Sequence, residues 1–521
     1  MEKQAANFTL SPPAALCPTT LVDRTAATEL TADFSLPDYL PEIKRLLRVT
    51  ATPHTESRYL SANAAEFDGA VDFLVCYAGG DGGMYSTRLA RDYSISMPVD
   101  PDLAARGIDP FLDTRVESLT SRVTAPRKLN VRLRLRTRMR AYGEEDLTPT
   151  VEAAPAHLEQ LIKHTHTMQI LRADDQPLDL AEDIPLADAE GETRIVSTEG
   201  AVAITDVTPE DGAVMCRGEL ILTLITCAEP MGGQGESERR VCRIPFTRTV
   251  PLEGARGDMS ARAWGICCDL SAAVEEDRIL CDAAIRLTVE AAAERPLATV
   301  ADLYALDGEI ENAAYREIAP ESLLCCGNYA VPMTATNPVA SLGIDPAARI
   351  EDVSAVPQPD EITWAHGRAA LSGSCRVTLV YALGGEYSTA EVVIPWKKEI
   401  ECAAEPTARE IEMTVTRALA RIDGEGERAV VTIDAELCAA LRLGRAERRR
   451  ILSHAAYSPR DGKKGGAVTV CYPESDESLW SIARRYHVST SALAEANDLR
   501  VDENCDTPAS LGGLRYLLIS H

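Results

Sequence analysis

Residues 128–142 read KLNVRLRLRTRMRAY. Val131, Leu133, Leu135 and Met139 alternate with Arg132, Arg134, Arg136, Arg138 and Arg140. Side chains on a strand project to opposite faces with a period of two, so this alternation predicts an antiparallel strand with one face buried. Two further runs resemble it: RILCDAAIRLTVEAAA from Arg278 and RAVVTIDAELCAALRL from Arg428. The starts are 150 residues apart both times (278 − 128 and 428 − 278). A spacing that holds twice points to internal repetition.

Working outward, each copy opens with an extended run built around a glycine: EFDGAVDFLVCY (Gly69), MCRGELILTLIT (Gly218) and LSGSCRVTLVY (Gly373). A turn-rich gap follows, then a run containing a proline: YSISMPVD, VCRIPFTRTVPLE and AEVVIPWKKEIE. The segments SLPDYLPEIKRLLRV (35–49) and SLGIDPAARIEDVSA (341–355) resemble one another, with a weaker counterpart in LAEDIPLADAEGETRIV. Alternating runs separated by Gly-, Pro- and Asp-rich gaps predict a mainly β chain of three repeated antiparallel modules, sandwich or barrel-like. Pro-rich LTPTVEAAPAH (147–157) reads as a joint between modules.

The pattern changes at the C-terminus. Residues 442–466, RLGRAERRRILSHAAYSPRDGKKGG, read as the end of a strand and a solvated basic linker, or as an electrostatic contact for an acidic partner. A short strand (468–472) follows. Then Leu479, Ile482, Ala483 and Tyr486 recur at helical spacing behind Asp476-Glu477-Ser478, and Ser489 or Thr490 starts a second helix ended by Asn497-Asp498. A last strand spans 514–519. The expected organisation is an N-terminal tail (1–29), module 1 (30–150), a connector with module 2 (151–310), module 3 with its opening segment (311–457), a basic linker (458–465) and a small βααβ domain (466–521).

Composition narrows the function. A formal net charge of −27 disfavours a nucleic-acid partner, whose phosphates would be repelled. The 15 cysteines are odd in number and irregular in spacing, which reads as reduced structural thiols. The first twenty residues lack the basic start and apolar run of a signal peptide, and no stretch reaches membrane-spanning length, so the chain is expected to stay in the cytosol of the cell that makes it. No nucleophile elbow, phosphate-binding loop or His-Glu-x-x-His helix occurs, so no enzyme activity, cofactor or catalytic residue is expected. GGDGG from Gly79 and GGQG from Gly232 read as hairpin loops. His157, His164 and His166 read as a solvated connector rather than a metal site, and Glu182-Asp183 and Glu275-Glu276 as surface carboxylates.

SLWSIARRYHVS (478–489) and LAEANDL (493–499) resemble a LysM domain. The resemblance implies a groove for N-acetylglucosamine-containing glycans. Two departures alter half of it: Ser475-Asp476-Glu477-Ser478-Leu479 lacks the family's glycine, and VDENCDTPASLGG replaces its short last loop. The repeated modules with this C-terminal domain resemble SipL-type spore coat morphogenetic proteins, whose repeated unit is the SPOCS domain. The supporting residues are Leu36-Pro37-Asp38-Tyr39 to Leu46-Leu47, the three glycine-bearing runs and the LysM-like end. The resemblance implies a non-enzymatic scaffold in spore coat assembly, acting in the mother-cell cytoplasm at the forespore outer surface. Its LysM domain would bind the coat basement-layer ATPase, stage IV sporulation protein A, alongside other coat proteins. The alternative is an exported protein that binds peptidoglycan. Trp480 lies outside the inner stripe of its helix and is expected to face solvent. With Ser478, Arg484 and Asn497 it forms the expected partner-binding face. The Arg132, Arg134, Arg136, Arg138 and Arg140 ladder reads as a cross-strand network with acids, or as a docking face for an acidic protein or phospholipid headgroups.

Overall fold

The computed structural model describes residues 7–9, 15–61, 63–101, 108, 110–152, 157–186, 192–229, 236–459, 468–502 and 504–520. The tail segments 1–6 and 10–14, the GGQG loop and most of the basic linker (460–465) lie outside them. Three modules share one topology. Each has six strands in two three-stranded antiparallel sheets: strands two, three and four form the first, and strand six lies between one and five in the second. In module 1 the first sheet is Ile43–Leu60, Ala64–Gly79 and Met84–Pro98, and the second is Leu16–Ser35, Lys128–Asp146 and Phe111–Ala125. The fold is therefore a sandwich. Strand one begins at Leu16, inside the stretch expected to be a tail, and the 35–49 segment is the turn and start of strand two.

The alternation at 128–142 behaves as the period of two demands. Leu129, Val131, Leu133, Leu135 and Met139 are buried with Val71, Phe73 and Val75 of the opposite sheet. Burying such a side chain stabilises by about 1.5–3 kcal/mol, so a one-residue slip of register would expose the whole set.

The glycine of each copy has a packing reason. A Cβ on Gly69 would lie 2.3 Å from the His54 carbonyl oxygen and 2.8 Å from the Tyr93 ring. Gly218 meets the Ala203 carbonyl oxygen and Phe246, and Gly373 meets the Gln358 carbonyl oxygen and Trp396. In each module the glycine pairs with an aromatic residue on strand four, and the register with strand two shifts beside it. The ring covers the bare backbone where the strand bends.

Equivalence in the third copy runs two residues later than the sequence spacing suggests. Leu36 N donates to Arg127 O and Leu186 N to Asp277 O, whereas Val339 N donates to Ala429 O. A short 3-10 turn, Gly426–Arg428, takes up the two residues.

The modules close into a ring in which strand four of each abuts strand two of the next. Arg194 of module 2 donates to Met84 O of module 1 (3.3 Å). Arg349 of module 3 donates to Ser237 O of module 2 (3.3 Å). Arg45 of module 1 donates to Tyr387 O of module 3 (3.2 Å), which completes the circuit.

The connecting segments form a sheet of their own. Asn7–Thr9, Thr150–Glu152, Arg449–Pro459 and Gly308–Ile318 lie side by side in that order. Arg449–Pro459 is therefore a strand that takes in the first two residues of the expected linker (458–465), and Arg450 stacks over Tyr315 at 4.0 Å. In module 2 strands one and six each run 28 residues, Leu158–Pro185 and Arg278–Ala305, against 17 to 20 in the other modules. The extra length is a two-stranded arm, and the C-terminal domain sits on it. That domain has strands Val468–Cys471 and Leu517–Ser520 and two helices, α1 (Leu479–Tyr486) and α2 (Thr490–Glu495).

Candidate interaction surfaces

Helix α1 starts where the sequence predicts. Ser478 is the N-cap: its hydroxyl accepts from Ser481 N, and Ser478 N donates to the Ser481 hydroxyl. Leu479, Ile482 and Ala483 are buried as expected. Trp480 is not solvent-directed. It is 5% exposed, because the arm supplies a second apolar surface outside the domain's own core. Its indole meets the Tyr304 ring edge-on at 4.8 Å, and its N–H donates to Asp302 Oδ2 at 3.0 Å. Arg484 donates to the same oxygen at 2.7 Å, and the Tyr315 hydroxyl donates to Asp302 Oδ1 at 2.9 Å. One carboxylate of the arm therefore gathers three donors, two from the LysM domain and one from the connector sheet.

The seam continues around α1. Tyr304 OH donates to Val488 O (2.7 Å), His487 Nδ1 to Ala305 O (2.8 Å), and Lys163 pairs with Asp506 at 2.6 Å. Burial pushes the Tyr304 hydroxyl above its ordinary pKa. Asn497 Nδ2 donates to Leu493 O and Leu518 O, and its Oδ1 accepts from Leu518 N. It ties α2 to the last strand. The four residues expected on one partner-binding face thus have structural tasks: Ser478 and Asn497 inside the domain, Trp480 and Arg484 against the arm. Only a partner to Trp480 on the arm would have revealed this, and Asp302 and Tyr304 lie in a stretch read simply as part of module 2.

The loop before the last strand closes over the start of α1. Leu479 N donates to the Ser510 hydroxyl (2.9 Å) and Trp480 N to Cys505 O (2.9 Å). With Ser481 N held by Ser478, the first-turn N–H groups that a helix usually leaves open are satisfied internally.

The arginine ladder divides along its length. Arg134 and Arg136 both pair with Glu117, and Arg138 pairs with Asp23 and with Glu410 of module 3. Arg132 is exposed. Arg140 is buried, departing from the alternation, because the outer face of module 1 meets module 3 there: it pairs with Asp113 and, at 2.6 Å, with Glu410.

Arg140 opens on the ring's centre. Arg140, Glu290 and Arg442 occupy equivalent positions on strand six of the three modules and are all buried. Glu290 is gripped by Arg262 (3.0 Å) and Arg442 (2.6 Å). Burial alone would raise its pKa, but the two guanidiniums hold it well below the ordinary carboxylate range. Asp113, between Arg172 and Arg140, behaves the same way. Burial wins at Asp174, Glu321 and Glu412, which are pushed upward. In the other layer Arg48 pairs with Glu199 (2.6 Å) and Asp352 (2.7 Å). A cavity of about 460 Å³ opens beside Arg48, lined by all three modules, among them Thr50, Thr223, Arg239, Cys267 and Val356.

All fifteen cysteines are free thiols, and burial raises many of them, Cys76 to about 12 and Cys375 to about 11. Thiols so raised are poor nucleophiles. His164 and His166 are exposed on the arm strand rather than in a connector, and His157 pairs with Asp307 at 3.3 Å. The described residues hold no group of three or more His, Cys, Asp or Glu placed to bind a metal. Among them no helix is long and apolar enough to cross a membrane. GGDGG is a hairpin turn, in which Asp81 accepts from Gly83 N and the Tyr85 hydroxyl.

Comparison with known families gives two matches. Residues 193–279 match the SipL, SPOCS domain, and residues 474–503 match the LysM domain. No curated protein and no solved structure matches the chain. The SPOCS match covers the first sheet of module 2 and strand five, Ser260–Glu275. Modules 1 and 3 repeat that topology. Both domain types are non-catalytic, and the SPOCS domain associates the chain with the spore coat. Together the matches support a SipL-type chain: a SPOCS domain in module 2 and a C-terminal LysM domain, a pairing that suggests a sporulation coat-associated protein.

Proposed function

We propose that the chain is a non-enzymatic scaffold of spore coat assembly, whose LysM domain binds the coat basement-layer ATPase, stage IV sporulation protein A, at the forespore outer surface on the mother-cell side. The three-module ring is the platform that presents the domain and other coat proteins assemble around it. The observation that carries this reading over sugar binding is the closed start of α1, where Ser510 and Cys505 take the N–H groups of Leu479 and Trp480. Sugar hydroxyls are recognised by open hydrogen-bonding groups, and this helix end offers few.

The LysM match itself favours the second reading, a peptidoglycan-binding wall protein. The full chain, incubated separately with the purified ATPase and with purified peptidoglycan, distinguishes them. Retention of the ATPase alone is expected. Retention on peptidoglycan alone would overturn the scaffold reading.

A further inference from the structure

Seven of the sixteen large apolar side chains exposed by the described residues lie in the LysM domain: Val468, Val470, Tyr472, Val501, Leu514, Tyr516 and Leu518. That domain is a small fraction of the chain, so chance exposure does not account for the concentration. The register explains the clustering. Val470 lies opposite Leu518 and Cys471 opposite Leu517, and extending that register by one residue sets Tyr472 against Tyr516, just beyond the ends of the two strands. Residues two apart share a face. Val468 and Val470, continued by Tyr472, therefore form one column, and Leu518, continued by Tyr516, the column beside it, with the exposed Leu514 in the turn that leads into it. The other face carries Cys471, Leu517 and Ile519, all buried on the helices.

An antiparallel sheet with one face on a core ordinarily turns polar residues to water. This one is apolar on both faces, and a contiguous apolar face marks an interaction site. Its orientation is fixed, because the helical side of the domain is held on the arm by Asp302, Tyr304 and Lys163. We propose that this outer sheet face is where the LysM domain receives its protein partner, through an apolar segment of the partner flanked by acidic side chains. The inference rests on the scaffold reading above and names the surface that serves it.

Two observations select that occupant. The columns are aliphatic apart from their two tyrosines and lack the array of donors and acceptors that reading sugar hydroxyls requires. Tyrosines set beside aliphatic side chains are instead the usual anchors of protein interfaces. Arg515, between Leu514 and Tyr516, and Arg500, next to Val501, are exposed and make no ion pair among the described residues, although the chain carries a net charge of −27. They are available to carboxylates of the partner.

The test measures affinity of the full chain for stage IV sporulation protein A, comparing the parent with Tyr472→Ala/Tyr516→Ala and, separately, Arg515→Glu. Carbodiimide cross-linking of Lys163 to Asp506 and thermal melting report whether the domain stays folded and docked. The expected result is at least a tenfold loss for the tyrosine pair and a smaller, salt-sensitive loss for Arg515→Glu, with cross-link and melting unchanged. Arg515→Glu removes no packed side chain, so it decides the matter if the tyrosine variant misfolds. A parent that binds and variants that bind equally well would overturn this surface and leave the scaffold reading standing. A parent that fails to bind would overturn both. Parent chains that dimerise in sedimentation, and cease to when the tyrosines are removed, would make the face a self-interface and overturn the proposal.

Discussion

The three modules are alike at one set of equivalent positions and unlike at another. At the strand bend every copy has glycine with an aromatic ring across it: Gly69 with Tyr93, Gly218 with Phe246, Gly373 with Trp396. At the ring's centre the copies diverge into Arg140, Glu290 and Arg442 in one layer and Arg48, Ser197 and Asp352 in the other. Packing inside a module is the same problem three times and has the same solution. At the centre, three like charges would repel without solvent to screen them, so equivalent positions must differ in sign. The comparison teaches where the repeated unit ends and the single assembled body begins.

The comparison can be broken from the centre outward. Replacing Glu290 by Gln should cost the most, about 3–5 kcal/mol, because it leaves Arg262 and Arg442 buried without their counter-ion. Denaturant unfolding of the variant measures it, and a change below about 1 kcal/mol would mean that the centre is not dry. Trp480→Ala should rank next. Removing a buried tryptophan costs about 3–5 kcal/mol locally, which in this chain falls on a small domain and its seam with the arm. Hydrogen exchange should show α1 and the arm residues 158–166 and 297–305 losing protection together, while the three sandwiches keep theirs.

Gly69→Ala, Gly218→Ala and Gly373→Ala should each cost about 1–3 kcal/mol, since the new methyl meets a backbone carbonyl and a ring that must both shift. Similar costs at the three sites would sharpen the claim of equivalence, and one neutral site would break it.

The smallest effect is with pH. Glu290 and Asp113 have folded pKa values held far below their unfolded ones, about 4.3 and 3.9. Their contribution is complete above those values and drains away as pH falls below them. Against Glu290→Gln, the parent should therefore lose its advantage below about pH 4 in parallel melting curves.

The alternation at 128–142, the glycine runs and the helix spacing at 479–486 carried the sandwich, the repeat and the LysM domain in the sequence. These are local patterns, imposed by strand and helix geometry on neighbouring residues. What stayed hidden was non-local. Leu16–Ser35 joins module 1 by pairing with Lys128–Asp146, at the far end of the module, and nothing in its own composition announces that. The segment around 150 reads as a joint, and those around 308 and 449 as the edges of modules, because the strands that pair them into one sheet lie far away in the chain. Trp480 was legible as a residue outside its helix's inner stripe, but the surface that covers it lies 178 residues away at Asp302. Arg140 reads as the last rung of an exposed ladder until Glu410 arrives from another module.

Closure of the ring is the claim on which the rest depends. Lys44 of module 1 and Glu386 of module 3 are exposed and 3.1 Å apart, which suits a zero-length carbodiimide cross-link. Cross-linking the monomeric full chain and sequencing the joined peptides should recover Lys44–Glu386. Recovery only of links between modules adjacent in sequence, with none between modules 1 and 3, would contradict the ring and leave the modules as an open string.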